Sequence, residues 1–480
     1  MDYRMFIAGE WVDSDSGERM EATSPATGES IGSVPEGTRE DAERAIAAAN
    51  AAWREWAARS AFERAAVLER VADAVAERRD DLARTLTLDQ GKPLHAEAYD
   101  EVAELEEYWR MAAGDVRRLD GLMPPSVDSA KRALVYRVPK GVVGVITPWN
   151  WPYTMPAEVI APALAAGNAV VWAPAPTTSI CAVKLAECLA AAELPAGVFN
   201  MVTGQGAVVG DEIAVSTGTH AIGFIGSITT GYKVAERAAG KALLLEMGGN
   251  GPVVVLDDAD VEKAVAATLV ASFLCAGQSC TAGERFLVHE SVHDEYLDGL
   301  AAAMAKDVRL GDPFADETTM GPLNNEPVAE KMDRHIGDAV ERGAALVSGG
   351  ARAEGFPTAL YYQPTVLDQV SDEMEVATEE TFGPIVPIST IKSEDEALAL
   401  IDSSPYGLLT SVFTRDLARG LRFAEAARAG WVNVNESSNY WESHLPFGGR
   451  AGSRSGVGRV GGRYPLETFT ETKTVILNTG

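Results

Sequence analysis

The sequence predicts an α/β protein with parallel sheets, and three observations carry that reading. Apolar strand-length runs alternate with amphipathic helical segments along the chain. The runs are almost continuously apolar, as in strands covered on both faces. Glycines punctuate the passage from strand to helix. At 480 residues the chain exceeds what one hydrophobic core supports, so two or three domains are expected.

Taken in order, the first helix is expected over TREDAERAIAAANAAWREW. Thr38 is placed to cap it with Asp41 three residues on, and Ile46, Ala49, Trp53 and Trp56 follow at helical spacing. Two further helices run to about residue 115. GVVGVITPWN and NAVVWAPAP read as buried strands. VFNMVTGQG with AVVGDEIAV, and HAIGFIGS with ITTGYKVAERAAG, form successive strand–glycine–helix units. PVVVLDDADVEKAVAATLVASFL begins a second series. RFLVH then reads as a strand, with Ser291 the expected cap of HDEYLDGLAAAM. No solenoid repeat, low-complexity tract or long linker interrupts the pattern.

Composition narrows the class. Hydrophobic residues at 46% and charged residues at 23% describe a soluble globular protein. The N-terminal MDYRMFIAGEWVDSDSGE lacks a basic region leading into an apolar one, and no run approaches the roughly 18 apolar residues of a membrane span, so a cytoplasmic protein is expected. Seventy acidic against 41 basic residues give a net charge of −29, which repels nucleic acid and anionic lipid. The bases divide into 11 lysines and 30 arginines. Such a surface fits a protein adapted to molar salt, the plainer alternative being an ordinary acidic cytosolic one. Four cysteines make no disulfide framework, and Cys181 and Cys188, seven apart on one helical face, read as core residues.

Two glycine signals invite a phosphate. Gly226 and Gly231 in GFIGSITTG follow a strand and open a helix, whose N-terminal amides favour anions. Neither this spacing nor Gly204-Gln205-Gly206 is the dinucleotide fingerprint, so glycine serving only as a turn stays open. His289-Glu290-Ser291-Val292-His293 matches the zinc-protease pattern. That chemistry needs both histidines on one helix, whereas here a strand is expected to end at the first, so no metal is expected.

FLCAGQSC, residues 273–280, holds two of the four cysteines. Cys280 sits in a polar Gly-Gln-Ser turn that could support a thiolate, while Cys275 follows an apolar run and reads as buried. From this stretch alone a pair of core cysteines is an equal alternative. Glu246 in KALLLEMGGNGP stands at the end of an apolar run, where desolvation would raise its pKa toward neutrality and suit a general base. A strand-end surface glutamate would look the same.

PWNWP (148–152), LEMGGNGP (245–252), GQSC (277–280), EETFGPI (379–385) and LPFGG (445–449), in this order and spacing, resemble the aldehyde dehydrogenase superfamily along essentially the whole chain. The resemblance implies an aldehyde dehydrogenase-like α/β fold with two Rossmann-like parallel-sheet domains and a small β oligomerisation arm. It assigns 1–118 and 139–246 to the NAD(P)-binding domain, 247–446 to the catalytic domain, and 119–138 with 465–480 to the arm. It implies Cys280 as nucleophile, Glu246 as the base that activates water, and Asn150 as an oxyanion donor together with the Cys280 backbone N–H. The cofactor would meet Ile146, Thr147, Trp149, Ala173, Gly206, Gly226, Ser227, Glu246, Gly248, Glu380 and Phe382. Among these Ser227 would contact the pyrophosphate and Glu380 the nicotinamide ribose, with Phe382 near the ring. A homodimer or homotetramer is implied as well.

Two departures matter. VVWAPAPTTS carries Ala173 and Pro176 where the family usually has a lysine and often a glutamate. Without an acid to repel a 2′-phosphate, NAD is expected with NADP not excluded. PFGGRAGSRSGVGR exceeds the usual segment and is expected to reshape a loop near the substrate entrance. The tunnel itself would be lined by Trp151, Thr154, Glu158, Ser279, Thr281, Tyr440, Trp441 and Phe447. These aromatics fit a medium-sized aliphatic, hydroxylated or aromatic aldehyde. A semialdehyde is the alternative and would want an arginine, for which Arg450 and Arg454 are the nearest in sequence. Transfer of the acyl group to coenzyme A is a further alternative, against which a base at Glu246 argues. A non-catalytic protein on this scaffold would not need Cys280, Glu246 and Asn150 together.

Overall fold

The computed structural model describes residues 1–480. Two large sheets dominate it. The first orders its strands Gly456–Val457, Ala242–Met247, Ala221–Gly226, Val142–Ile146, Ala169–Ala173, Phe199–Met201, Met5–Ile7 and Glu10–Val12. The five from Ala242–Met247 to Phe199–Met201 run parallel, and the flanking strands are antiparallel. The chain begins this parallel core at Val142–Ile146, builds to one side, and then returns to add Ala221–Gly226 on the other. That reversal is a topological switch point, where an open α/β sheet leaves a crevice beyond its carboxyl ends.

Helices cover both faces. On one, Ala61–Glu77, Tyr99–Val116, Thr154–Ala165 and Ser179–Ala191 bury Leu68, Tyr108, Leu164 and Leu185. On the other, Arg39–Ala58 lays Ala42 and Ile46 on the sheet beside Ile213 and Val234. The capping box expected at Thr38 forms: its hydroxyl accepts from the Asp41 N–H, and the Asp41 carboxylate accepts from the Thr38 N–H at 2.9 Å. Cys181 and Cys188 are buried free thiols in the Ser179–Ala191 helix.

The second sheet orders Ala345–Ser348, Thr365–Asp368, Ile385–Ile391, Gly283–His289, Gly251–Val255, Leu409–Phe413 and Trp431–Val434, parallel except for the first. A separate ribbon pairs Lys131–Pro139 with Thr470–Asn478 in nine antiparallel residue pairs.

Several features depart from expectation. The helix after RFLVH begins at His293, preceded by Val292 without a side-chain cap. Ser291 instead meets His289 Nδ1 at 2.8 Å, the short hydroxyl being drawn to the nearer ring nitrogen. The two histidines do separate: His289 ends a strand, and His293 opens a helix with its Nε2 2.9 Å from Asp368. The segment 450–455 packs on Pro405 and Gly407 through backbone bonds from Arg450 and Arg454, both 2.9 Å, rather than at the entrance. Gly456–Val457 then joins the first sheet, a two-residue strand too short to carry a periodic signal. No helix is long and apolar enough to cross a membrane.

Candidate active site

The carboxyl ends of the first sheet face the amino ends of the second, and the site is built across that junction. Glu246 closes the run ALLLEM, registered between Ile225 on one strand and Gly456 on the other. Asn150 lies in the turn after Val142–Ile146, at the switch point. Cys280 lies between the Val261–Phe273 helix and the Gly283–His289 strand, and Glu380 and Phe382 precede the Ile385–Ile391 strand. Elements far apart in sequence thus deliver their turns to one place.

Gln278 ties these turns together. It is 1% exposed, and its backbone carbonyl accepts from Asn150 Nδ2 at 2.9 Å. Its side chain donates to the Cys275 carbonyl at 2.8 Å and accepts from the Asn324 N–H at 2.9 Å. One Asn150 N–H is therefore spent on orientation, and the other is left for an oxyanion. Gly277 has φ +72, and a Cβ there would lie 2.1 Å from the Gly383 carbonyl oxygen, so GQSC and EETFGPI interlock at their glycines. Within the second motif, Glu284 accepts from the N–H groups of Thr381 at 2.7 Å and Phe382 at 2.8 Å.

Cys275 lies beyond the helix, in a kinked turn where it and Ala276 both have φ of 52°. Its N–H donates to both Glu97 oxygens at 3.0 Å, and Gln90 Nε2 lies 3.3 Å from its sulfur. Left-handed backbone at two successive non-glycine residues is costly, and these buried bonds hold it in place. Burial pushes the Cys275 thiol far up the scale, and it lines neither of the two cavities that meet at Cys280.

Two cavities meet at Cys280. The first, of about 590 Å³, is lined by Trp151, Thr154, Glu158, Ser279, Thr281, Trp441 and Phe447 among others. Tyr440, expected on that wall, lies outside it: the side chain is 48% exposed, and its hydroxyl donates to Glu442 at 2.8 Å. The second, of about 400 Å³, is lined by Trp149, Asn150, Gly226, Ser227, Gly248, Glu380 and Phe382. Cys280, Glu246, Met155 and Ile225 line both. Ile146, Thr147, Ala173 and Gly206 lie outside both walls, on neighbouring carboxyl-end segments of the first sheet. Thr147 there accepts from Trp172 Nε1 at 2.8 Å.

The junction is electrostatically tense. Burial and the negative fields of Glu158 and Glu380 hold the Glu246 carboxyl well above the usual carboxylate range, partly offset by hydrogen bonding from Cys280. Burial, with Glu246, Glu380 and Glu158, likewise lifts the Cys280 thiol. Glu246 disfavours the Cys280 anion, while the Cys280 thiol hydrogen-bonds the Glu246 carboxyl. Glu246 Oε1 is buried without a hydrogen-bond partner, a group aimed at something that arrives.

The second cavity suits a nicotinamide dinucleotide. Ser227 caps the Ile228–Arg237 helix and accepts from the Thr230 N–H, so helix amides open on the cavity beside Gly226. Lys331 and Arg334 add two cations to the wall. Glu380 accepts from the Gly249 N–H at 2.9 Å, and a Cβ on Gly248 would fall 2.4 Å from both its carboxylate oxygens. Trp149 meets the Phe382 ring edge-on at 5.7 Å.

Sequence reading missed Lys331 and Arg334, which only the helix spacing of EPVAEKMDRHIG could have placed on one face. It also missed Asn439, bonded to Thr281, and the acidic side chains of residues 97–107 on the first cavity's wall. His335, Glu375 and Glu379 converge as a set of possible metal ligands, but Arg334 already bonds both glutamates, at 2.8 and 3.3 Å.

A nucleophile and a carboxyl between a nucleotide cleft and a second, acid-lined cavity define a class of cofactor-dependent oxidoreductases acting on carbonyls. The chain belongs to the aldehyde dehydrogenase family, whose model matches residues 11–475. It is 39% identical to the 3-sulfolactaldehyde dehydrogenase of Pseudomonas putida over 475 residues, covering 98% of this chain and 96% of that protein. It is also 39% identical to the NADP-linked succinate-semialdehyde dehydrogenase of Escherichia coli (strain K12), covering 97% and 96%. The crystal structure of succinate-semialdehyde dehydrogenase from Burkholderia pseudomallei superposes with a TM-score of 0.96 at 39% identity, covering 99% and 98%. The fold is that of the family, and the chain is an NAD(P)-dependent aldehyde dehydrogenase.

Proposed function

We propose that the chain oxidises a medium-sized aldehyde to the acid hydrolytically, with Cys280, Glu246 and Asn150 doing the chemistry. The observation that carries this is the junction itself: Cys280 and Glu246 stand on both cavities, between a tunnel and a nucleotide cleft. Cys280 Sγ adds to the carbonyl carbon as its proton passes to solvent, giving a thiohemiacetal whose oxyanion takes the free N–H of Asn150 and whose C–H is the hydride lost to leave the thioester. Glu380, Phe382 and Trp149 line the second cavity and would hold a nicotinamide there, which when bound would supply the hydride acceptor. Burial and the fields of Glu158 and Glu380 make Glu246 a stronger base than an ordinary carboxylate. Its carboxylate then takes the proton of the attacking water, and the acid leaves.

NAD is the expected cofactor and NADP is admitted, because Ala173 and Pro176 offer neither lysine nor acid. The named relatives act on acid-bearing aldehydes, which supports a semialdehyde as the second reading. The ribbon of Lys131–Pro139 and Thr470–Asn478 leaves Tyr136, Ile476 and Leu477 exposed, which supports an oligomerisation arm in a dimer or tetramer. Four free thiols, the nucleophile among them, support a cytoplasmic setting. An aldehyde panel with NAD and NADP, with and without coenzyme A, tests the reading. Cofactor reduction without coenzyme A supports it, and strict dependence on coenzyme A sinks the hydrolytic route.

A further inference from the structure

Resting on the aldehyde-oxidising reading above, we infer that the substrate carries a positive charge, as an amine or quaternary ammonium, at the end remote from its aldehyde. The first cavity receives that charge between an aromatic wall and a set of carboxylates.

Of its 25 lining residues, eight are carboxylic acids, one is a lysine and none is an arginine. The lysine is not free. Lys92 is 2% exposed, lies 2.5 Å from Glu101 Oε2, and sits 3.6 Å above the Trp151 ring. Arg450 and Arg454, the arginines nearest in sequence, pack toward Gly407 and Pro405 instead. The carboxylate of a semialdehyde would therefore meet acids, the one further basic side chain being His444, which already lies 3.5 Å from Glu442.

The acids are not merely the acidic surface continued inward. Glu158 is 4% exposed, and Tyr108 donates to its Oε1 at 3.3 Å, leaving the other oxygen to the cavity. Trp151, Thr154, Met155 and Glu158 recur at helical spacing, so one face of Thr154–Ala165 and the turn before it supplies this wall. Asp100, Glu104 and Glu107 do the same from Tyr99–Val116, and Ser443 fixes Glu107 by donating to it at 2.8 Å. Glu158 bears on Cys280 and Glu246, and Glu104 is in turn repelled by Glu158 and Glu107. The carboxylates thus extend from the nucleophile outward along the cavity.

An independent feature points to a bound polar group. Thr154 is 1% exposed, lines this cavity, and its hydroxyl has no partner. The aromatic side is formed by Trp441, 6.2 Å from Tyr108 and edge-on to Phe447 at 6.1 Å. Indole faces beside carboxylates are what a desolvated ammonium group requires.

The test assays the full-length enzyme on 4-(trimethylammonio)butanal, its uncharged carbon isostere 5,5-dimethylhexanal, and succinate semialdehyde. The expected kcat/KM for the cation exceeds that for the isostere by about tenfold or more at low ionic strength. The ratio shrinks as KCl is added, and succinate semialdehyde is the poorest of the three. Glu104→Gln, which keeps the side chain's shape, lowers the cation-to-isostere ratio severalfold, mainly through the KM of the cation. Equal or faster turnover of the isostere or of succinate semialdehyde overturns the cationic substrate while leaving aldehyde oxidation intact. So does a ratio that neither Glu104→Gln nor Glu158→Gln moves, or oxidation of butanal without that of the cation. Failure of all these aldehydes with both cofactors overturns the oxidation reading itself.

Discussion

At the scale of single residues, the roles separate by which step each variant stops. Cys280→Ala should abolish cofactor reduction altogether, measured by absorbance under single-turnover conditions. Glu246→Gln should retain a burst of up to one reduced cofactor per site and lose steady turnover, because acylation survives and water is no longer activated. Asn150→Ala should lower kcat by about 10²–10³, the usual cost of an oxyanion donor. Glu158 heads the charges that raise Glu246, so Glu158→Gln should move the acid limb of the pH–rate profile to lower pH. Sequence singled out Cys280, Glu246 and Asn150 through the family resemblance of their segments, and the structure brings all three to one junction. It could not say that Gln278 fastens Asn150 in place, since that bond joins residues 128 positions apart.

Elements carry the consequences of burying so many acids. Burial raises Glu158 to about 8, and it raises Glu380 to about 8 with help from Glu284. A carboxyl raised in the folded state binds a proton that the unfolded chain has already released near its ordinary pKa of about 4.3. The stability it contributes is complete below that value and is lost as pH climbs through about 8. Glu158→Gln should therefore gain melting temperature over the parent between pH 5 and 8.5, with a widening gap. A constant gap would sink this account. Periodicity placed the first helix, as the Thr38–Asp41 cap shows, but it merged the next segments: three helices, Ala61–Glu77, Arg79–Asp89 and Tyr99–Val116, stand where two were expected. It failed where a side chain preferred another partner, as Ser291 did with His289, and where an element was only two residues long. The acidic cavity wall was hidden for a different reason. Its residues come from segments near 100, 154 and 441, each unremarkable alone.

For the whole molecule, net charge and assembly set the expectations. A charge of −29 should make melting temperature and activity rise with KCl up to molar concentrations, and equal stability at low salt would refute salt adaptation. Ile476→Asp on the exposed ribbon should shift the sedimentation coefficient toward a smaller species if that ribbon joins subunits. The proposed domain boundaries at 118/139 and 246/247 place Glu246 at the last residue of one unit and Cys280 in the next. Gly456 pairs with Glu246 at the sheet's edge, so the strand bearing Glu246 gains its outer neighbour from a segment far along the chain. During synthesis, Cys280 emerges from the ribosome well before residue 456 does. A nascent chain that has exposed Cys280 therefore still holds the Glu246 strand unpaired on one side.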